Sequence, residues 1–329
     1  MNSIASKNNL ILDNESWRIA YREIIEQYGS GQMTTALDNA LRATEQFPLS
    51  PDLWKILGVI SQDLNGGEVA TAAFRQAVAL SGDDPVNHSN LALALYRQGQ
   101  MAEAILSLQR AAELDPSDAD AHYNLGVLLK EAGRFKEAIA AYRRALNLDP
   151  EVAEAFNNLG ILLCEQGRLG EGIDAYRMAL SVQPNYWETL LNLGTELHKV
   201  LFASEDRSLY PCLEQLLNAA NVVSPADVAP AILSLLKHDP ILVDMLREPS
   251  GQLDLTAHLN RISKLEQLPL LQKLMRLCPL PDLALERVFT GIRSVLLEHV
   301  SSLADTAFLE SFQSTLSLQC FLNEYVYFE

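Results

Sequence analysis

The sequence holds little that would carry chemistry. Its four cysteines (Cys164, Cys212, Cys278 and Cys320) stand far apart and form no CxxC pair. That excludes a disulfide framework and a cysteine zinc site, and fits small core residues in a reducing compartment, so the expected location is cytoplasmic. The six histidines are dispersed, and His198, His238, His258 and His299 lack neighbours at metal-ligand spacing, so no metal is expected. No GxGxxG follows a strand, and there is no GxxxxGK loop, GxSxG elbow or HExxH pair. Without β–α alternation there is no nucleotide-binding fold either, so neither catalytic residues nor a cofactor is expected. Positive charge is also short. Lys and Arg number 25 against 42 Asp and Glu, a net −17 that would repel a phosphate backbone and makes nucleic acid an unexpected partner. No apolar run approaches the roughly 20 residues of a membrane span. The start, MNSIASKNNLILDNE, lacks the basic and apolar pattern of a secretory signal.

What is present is a period of 34 residues. HYNLGVLL (His122 to Leu129) returns as FNNLGILL (Phe156 to Leu163), and YRRALNLDP (Tyr142 to Pro150) as YRMALSVQP (Tyr176 to Pro184). Units at 51–84, 85–118, 119–152 and 153–186 are strong, 17–50 is degraded, and a sixth starts at Trp187. Within each unit position 8 is small (Gly58, Ala92, Gly126, Gly160, Gly194), as are position 20 (Ala36, Ala70, Ala104, Ala138, Gly172) and position 27 (Ala43, Ala77, Ala111, Ala145, Ala179). Small residues there let two antiparallel helices approach closely, while Trp54, Phe74, Tyr142, Phe156 and Tyr176 fill the remaining space. Position 15 (Gly31, Asn65, Gly99, Gly133, Gly167) suits a left-handed helix end, and Pro48, Pro116, Pro150 and Pro184 follow the second helix. Each unit therefore reads as helix, glycine turn, helix, proline turn. Such units bury their apolar faces only against their neighbours.

These units resemble the tetratricopeptide repeat family. The unit Ala119 to Val152 carries that family's leucine, small residues, tyrosine, alanine and proline, although its signature tryptophan survives only as Trp54, with His88, His122 and Phe156 in its place. The resemblance implies an all-α fold, a right-handed superhelix (α-solenoid), here followed by an irregular helical C-terminal region. The organisation expected is an N-terminal tail at 1–16, repeats at 17–225 and a helical region at 226–329. In the sixth unit the second helix is displaced, so that LEQLLNAANVVSP aligns Ala220 and Pro225 with the pattern only after an insertion near FASEDRS. That insertion reads either as a lid over the groove or, more simply, as a neutral extension.

Beyond Pro225 the period stops while helical patterning continues, with Pro281-Asp282 as a helix start. The bland reading is a cap on the array. The terminal NEYVYFE is apolar and aromatic, and Tyr325 to Phe328 could pair two copies of the chain. The stretches PLPDLALERVFTGIRSVLL and QCFLNEYVY resemble the linker of bacterial proteins that join such repeats to a methyltransferase domain. That implies an alternative role, the substrate-recruiting front of a protein-modifying methyl- or glycosyltransferase whose catalytic domain is absent from this chain.

One polar pattern recurs. Position 6 is Asn90, Asn124, Asn158 and Asn192. In the resembled family it lies on the face lining the superhelix, and the arrangement is similar to the asparagine ladder of O-GlcNAc transferases. An asparagine amide can pair with both the N–H and the C=O of an extended peptide. Around it, position 2 is acidic (Asp52, Asp120, Glu154, Glu188) and position 9 is largely apolar (Val59, Leu93, Val127, Ile161). The expected function is a protein-interaction scaffold binding an extended peptide segment in this groove. Lys55 has no matching partners for a carboxylate clamp, and His88 and His122 read as packed interface residues.

Overall fold

The computed structural model describes residues 2–247, 255–280 and 282–298. All regular structure among them is helical. Packing divides the chain into two compact units, Met1–Glu151 and Val152–Glu329.

The first unit holds α1 (Asn2–Gly29), α2 (Met33–Gln46), α3 (Pro51–Asp63), α4 (Gly67–Leu80), α5 (Pro85–Arg97), α6 (Met101–Leu114), α7 (Ala119–Glu131) and α8 (Phe135–Leu148). The helices pair in sequence order, and each 34-residue repeat is one such pair. The turn at position 15 has positive φ throughout: +79° at Gly31, +60° at Asn65, +74° at Gly99 and +72° at Gly133. After it, the next N–H reaches back to close the helix, as from Arg134 to the Leu129 carbonyl at 2.8 Å. First helices begin on side-chain caps where the sequence supplies them. Asp84 accepts from the Val86 N–H and Asp118 from that of Ala121.

In three of the repeats an aromatic ring lies against a glycine. A Cβ on Gly58 would meet the Phe74 ring at 2.5 Å, one on Gly126 the Tyr142 ring at 2.8 Å, and one on Gly160 the Tyr176 ring at 2.6 Å. Where position 8 is Ala92, position 24 shrinks to Leu108, and both are buried. Volume is thus conserved across the pair, as close packing requires.

The second unit holds α9 (Ala153–Glu165), α10 (Leu169–Val182), α11 (Trp187–Leu197), α12 (Tyr210–Asn218), α13 (Pro225–Leu236), α14 (Pro240–Arg247), α15 (Leu255–Glu266), α16 (Pro269–Leu277) and α17 (Leu283–Glu298). Its core is continuous from Tyr176 and Leu193 through Leu216, Ile232 and Leu274 to Phe289, so the helices after Pro225 share one apolar interior with the last repeats. The sixth repeat departs from the pattern. Ala220 lies in the turn after α12, and Val223, not an aromatic ring, covers Gly194.

The insertion before α12 is fastened to the helices that follow. The Phe202 N–H donates to Ser234 Oγ at 2.9 Å, and His238 Nε2 pairs with the Phe202 carbonyl at 3.1 Å. Arg207 and the Tyr210 hydroxyl both reach Asp239, at 3.0 and 3.1 Å. The segment is a strap holding α12 to α13 and α14.

The helix start read at Pro281-Asp282 is realised through Asp282, which accepts from the N–H groups of Ala284 and Leu285, both at 3.1 Å, while Lys237 pairs with its other oxygen. Burial pushes the Asp282 carboxyl up, but the Lys237 pair and the two N–H bonds outweigh it and hold the carboxyl below the usual range. A folded-state value below the unfolded one adds stability above the ordinary carboxylate range, lost as pH falls through the folded value. Asp282→Asn should therefore cost roughly 0.5–2 kcal/mol at neutral pH, a cost that shrinks in acid, as urea midpoints against pH will show.

Cys164, Cys212 and Cys278 are free thiols, and burial raises them to about 11, 12 and 11. Cys320, Tyr325 to Phe328 and the final linker-like stretch lie outside the described residues.

Candidate functional site

The repeated asparagines stand on the first helices, and their surroundings differ. In the first unit Asn90 on α5 is half-buried and Asn124 on α7 is exposed. Neither amide bonds to another described residue. Both line one pocket of about 230 Å³ between α5 and α7, together with Ser89, Leu93, Tyr96 and Val127, over Leu108 and Leu128. The Ser89 hydroxyl is buried and finds no partner. Helical spacing of three and four residues sets two stripes side by side, Val86–Asn90–Leu93–Arg97 on α5 and Asp120–Asn124–Val127–Glu131 on α7.

Tyr96 is fixed as one wall, its hydroxyl donating to Glu131 at 2.8 Å. The same bond recurs between Tyr28 and Asp63 at 2.5 Å. In both tyrosines the phenol pKa rises, chiefly because the hydroxyl donates to the carboxylate.

In the second unit the asparagines have interactions within the chain. Asn157, buried at position 5, accepts on Oδ1 from the Asn192 amide at 3.1 Å and from the Thr189 hydroxyl at 3.0 Å. Asn158 also has an interaction within the chain. Nothing in the repeat pattern marks Asn157, since the other repeats carry Lys55, Ser89, Tyr123 and Leu191 there. Of the remaining predicted residues, Ile161 is half-buried, Glu154 exposed and Glu188 half-buried. A second concavity, of about 380 Å³, lies between α11 and the start of α13, with Leu191, Thr195, His198, Lys199 and Val222 on its walls.

Lys55 sits between Asp52 and Asp84, 3.3 Å from each. The histidines at position 4 have a defined partner. His88 Nε2 pairs with the Gly82 carbonyl at 3.0 Å and His122 Nε2 with that of Pro116 at 3.3 Å, as Trp54 Nε1 donates to the Pro48 carbonyl at 2.8 Å. Each ring satisfies the carbonyl six residues before it. The signal was present in the sequence, because histidine and tryptophan share a ring N–H that phenylalanine lacks.

Among the described residues no helix is long and apolar enough to cross a membrane, and no group of His, Cys, Asp and Glu is placed to hold a metal ion.

A tetratricopeptide repeat family model matches residues 89–150 and 128–187. No curated protein sequence matches the chain. Among solved structures, PilF of Pseudomonas aeruginosa is 20% identical with a TM-score of 0.52, covering 66% of this chain and 96% of its own. MamA is 23% identical with a TM-score of 0.47, covering 48% of this chain and 93% of its own. YrrB, whose structure is described as that of a TPR protein with an unusual peptide-binding site, is 21% identical with a TM-score of 0.48, covering 52% of this chain and 88% of its own. The likeness to PilF is one of fold.

Proposed function

Because residues 89–187 are tetratricopeptide repeats, we propose that this chain is a non-enzymatic interaction scaffold that holds an extended segment of another protein on the first-helix face of its repeats. Asn90, Asn124, Asn158 and Asn192 are the candidate contacts, with Val127 and Ile161 as apolar floor and Asp120, Glu154 and Glu188 as acidic margin. The observation that carries this reading is the pair of unengaged amides, Asn90 and Asn124, at one apolar pocket. Buried or ligand-facing amides need partners, and an extended peptide offers an unpaired N–H and C=O at every residue.

The test is affinity capture with the whole chain, then titration of the captured protein against wild type and a variant with alanine at all four asparagines. Loss of about tenfold or more in affinity with helicity unchanged is the expected result, at roughly 1 kcal/mol per neutral hydrogen bond. Equal affinity for both chains would place binding elsewhere on the molecule.

A further inference from the structure

Resting on that reading, we infer that the ligand is a basic–aliphatic segment, a single leucine, isoleucine or methionine seated between α5 and α7 with a lysine or arginine beside it, and that Asn90 and Asn124 carry most of its polar contact, with Asn192, outside this pocket, adding little. Three observations converge on the α5–α7 pocket. Its walls are largely apolar: Leu93, 44% exposed, stands beside half-buried Val127. Leu108 and Leu128 close the bottom, and the Tyr96 ring, held by Glu131, forms a rigid wall. Aliphatic side chains of a partner gain most from such a slot.

The polar groups at the rim suit a main chain. Asn90 and Asn124 each present a donor and an acceptor with no competing partner among the described residues, and Ser89 adds an unpaired hydroxyl. Asn192 lies outside this pocket, and one of its two amide N–H groups already donates to Asn157, which also takes the Thr189 hydroxyl.

Charge fixes the flank. Along the α7 stripe Glu131 is occupied by Tyr96, whereas Asp120, one turn before Asn124, is exposed and makes no ion pair with a described residue. A basic residue next to the aliphatic one would complete that stripe, and the net charge of −17 favours its approach.

The experiment is selection of random linear peptides on the immobilised full chain, followed by fluorescence anisotropy of an enriched peptide. Enriched sequences should share one Leu, Ile or Met adjacent to Lys or Arg. Replacing that aliphatic residue by alanine should weaken binding about tenfold or more. The Asn90→Ala/Asn124→Ala double variant and Leu93→Ser should each lose roughly tenfold, Asp120→Asn severalfold with a weaker salt dependence, and Asn192→Ala nothing beyond twofold. Leu93, Asp120 and Asn124 are exposed and Asn90 is half-buried, so circular dichroism should be unchanged in those variants. Peptides that are lost only with changes at Asn158 or Asn192 would overturn this assignment while leaving the scaffold reading standing. Enrichment of acidic or featureless peptides would overturn it as well. Peptides indifferent to all four asparagines, or no enrichment at all, would remove both.

Discussion

Replacing Gly126 by alanine is expected to destabilise the α7–α8 pair by about 1–3 kcal/mol, the usual cost of forcing a methyl into a filled core. The added Cβ would stand 2.8 Å from two carbons of the Tyr142 ring, and that ring is completely buried with no room to yield. The sign of the effect should reverse when Tyr142 is first changed to leucine, because the molecule already contains that solution as Ala92 against Leu108. In the leucine background the added methyl overpacks nothing and alanine gains the roughly 0.5–1 kcal/mol by which it exceeds glycine in a helix. Tyr142→Phe serves as the control. It keeps the ring and removes a buried hydroxyl that has no partner, so it should be neutral or stabilising, and Gly126→Ala should remain costly in it. Because an array need not unfold in one step, amide exchange in α7 and α8 is the readout, with urea midpoints beside it. A cost for Gly126→Ala that is the same in the tyrosine and leucine backgrounds would show that the ring contact is not what makes glycine necessary.

Asp239→Ala should loosen the strap that joins the sixth repeat to the helices beyond it, at a cost of about 2–4 kcal/mol. Asp239 is 1% exposed and serves three donors at once. One oxygen accepts from Arg207 and from the Tyr210 hydroxyl, and the other accepts from the Ile241 N–H at 2.9 Å at the start of α14. Alanine removes all three bonds and leaves the Tyr210 hydroxyl, half-buried, without its acceptor. The Arg207 share is small, since its side chain is 56% exposed and water can replace the carboxylate. Amide exchange should quicken in α12, α13 and α14 while α3 to α8 keep their protection. Asp239→Asn should fall between, since it retains an acceptor for Ile241 or for Tyr210 but loses the charge. Unchanged protection in α12 to α14 would mean that the apolar core from Leu216 to Leu274 holds these helices without the strap.

Much of the architecture was legible in one dimension. A fixed period with small residues at positions 8, 20 and 27 and glycine at 15 dictates a helix pair, because each residue type answers a local demand: close approach, or a backbone that only glycine and asparagine adopt cheaply. The turns at Gly31, Asn65, Gly99, Gly133 and Gly167 all have the left-handed φ that their spacing requires. The same logic gave Asp282 its place at a helix start.

Where the period ended, so did that legibility. No local rule places Val223 over Gly194, or ties Phe202 to Ser234 and His238, since these partners lie about thirty residues apart and meet only once the helices have packed. The asparagines show the division most sharply. Their recurrence at position 6 is a sequence fact, and by itself makes Asn90, Asn124, Asn158 and Asn192 equivalent. Tertiary structure separates them, because a bond made within the fold takes a donor or acceptor that a ligand would otherwise use. Asn157, unmarked by any repeat position, takes one N–H of the Asn192 amide, while Asn90 and Asn124 keep their donors and acceptors at an apolar slot. Local chemistry along the chain set the helices, the turns and the face on which the amides stand. Which of those amides are spent and which remain open depended on contacts between helices, and those only the packed structure decided.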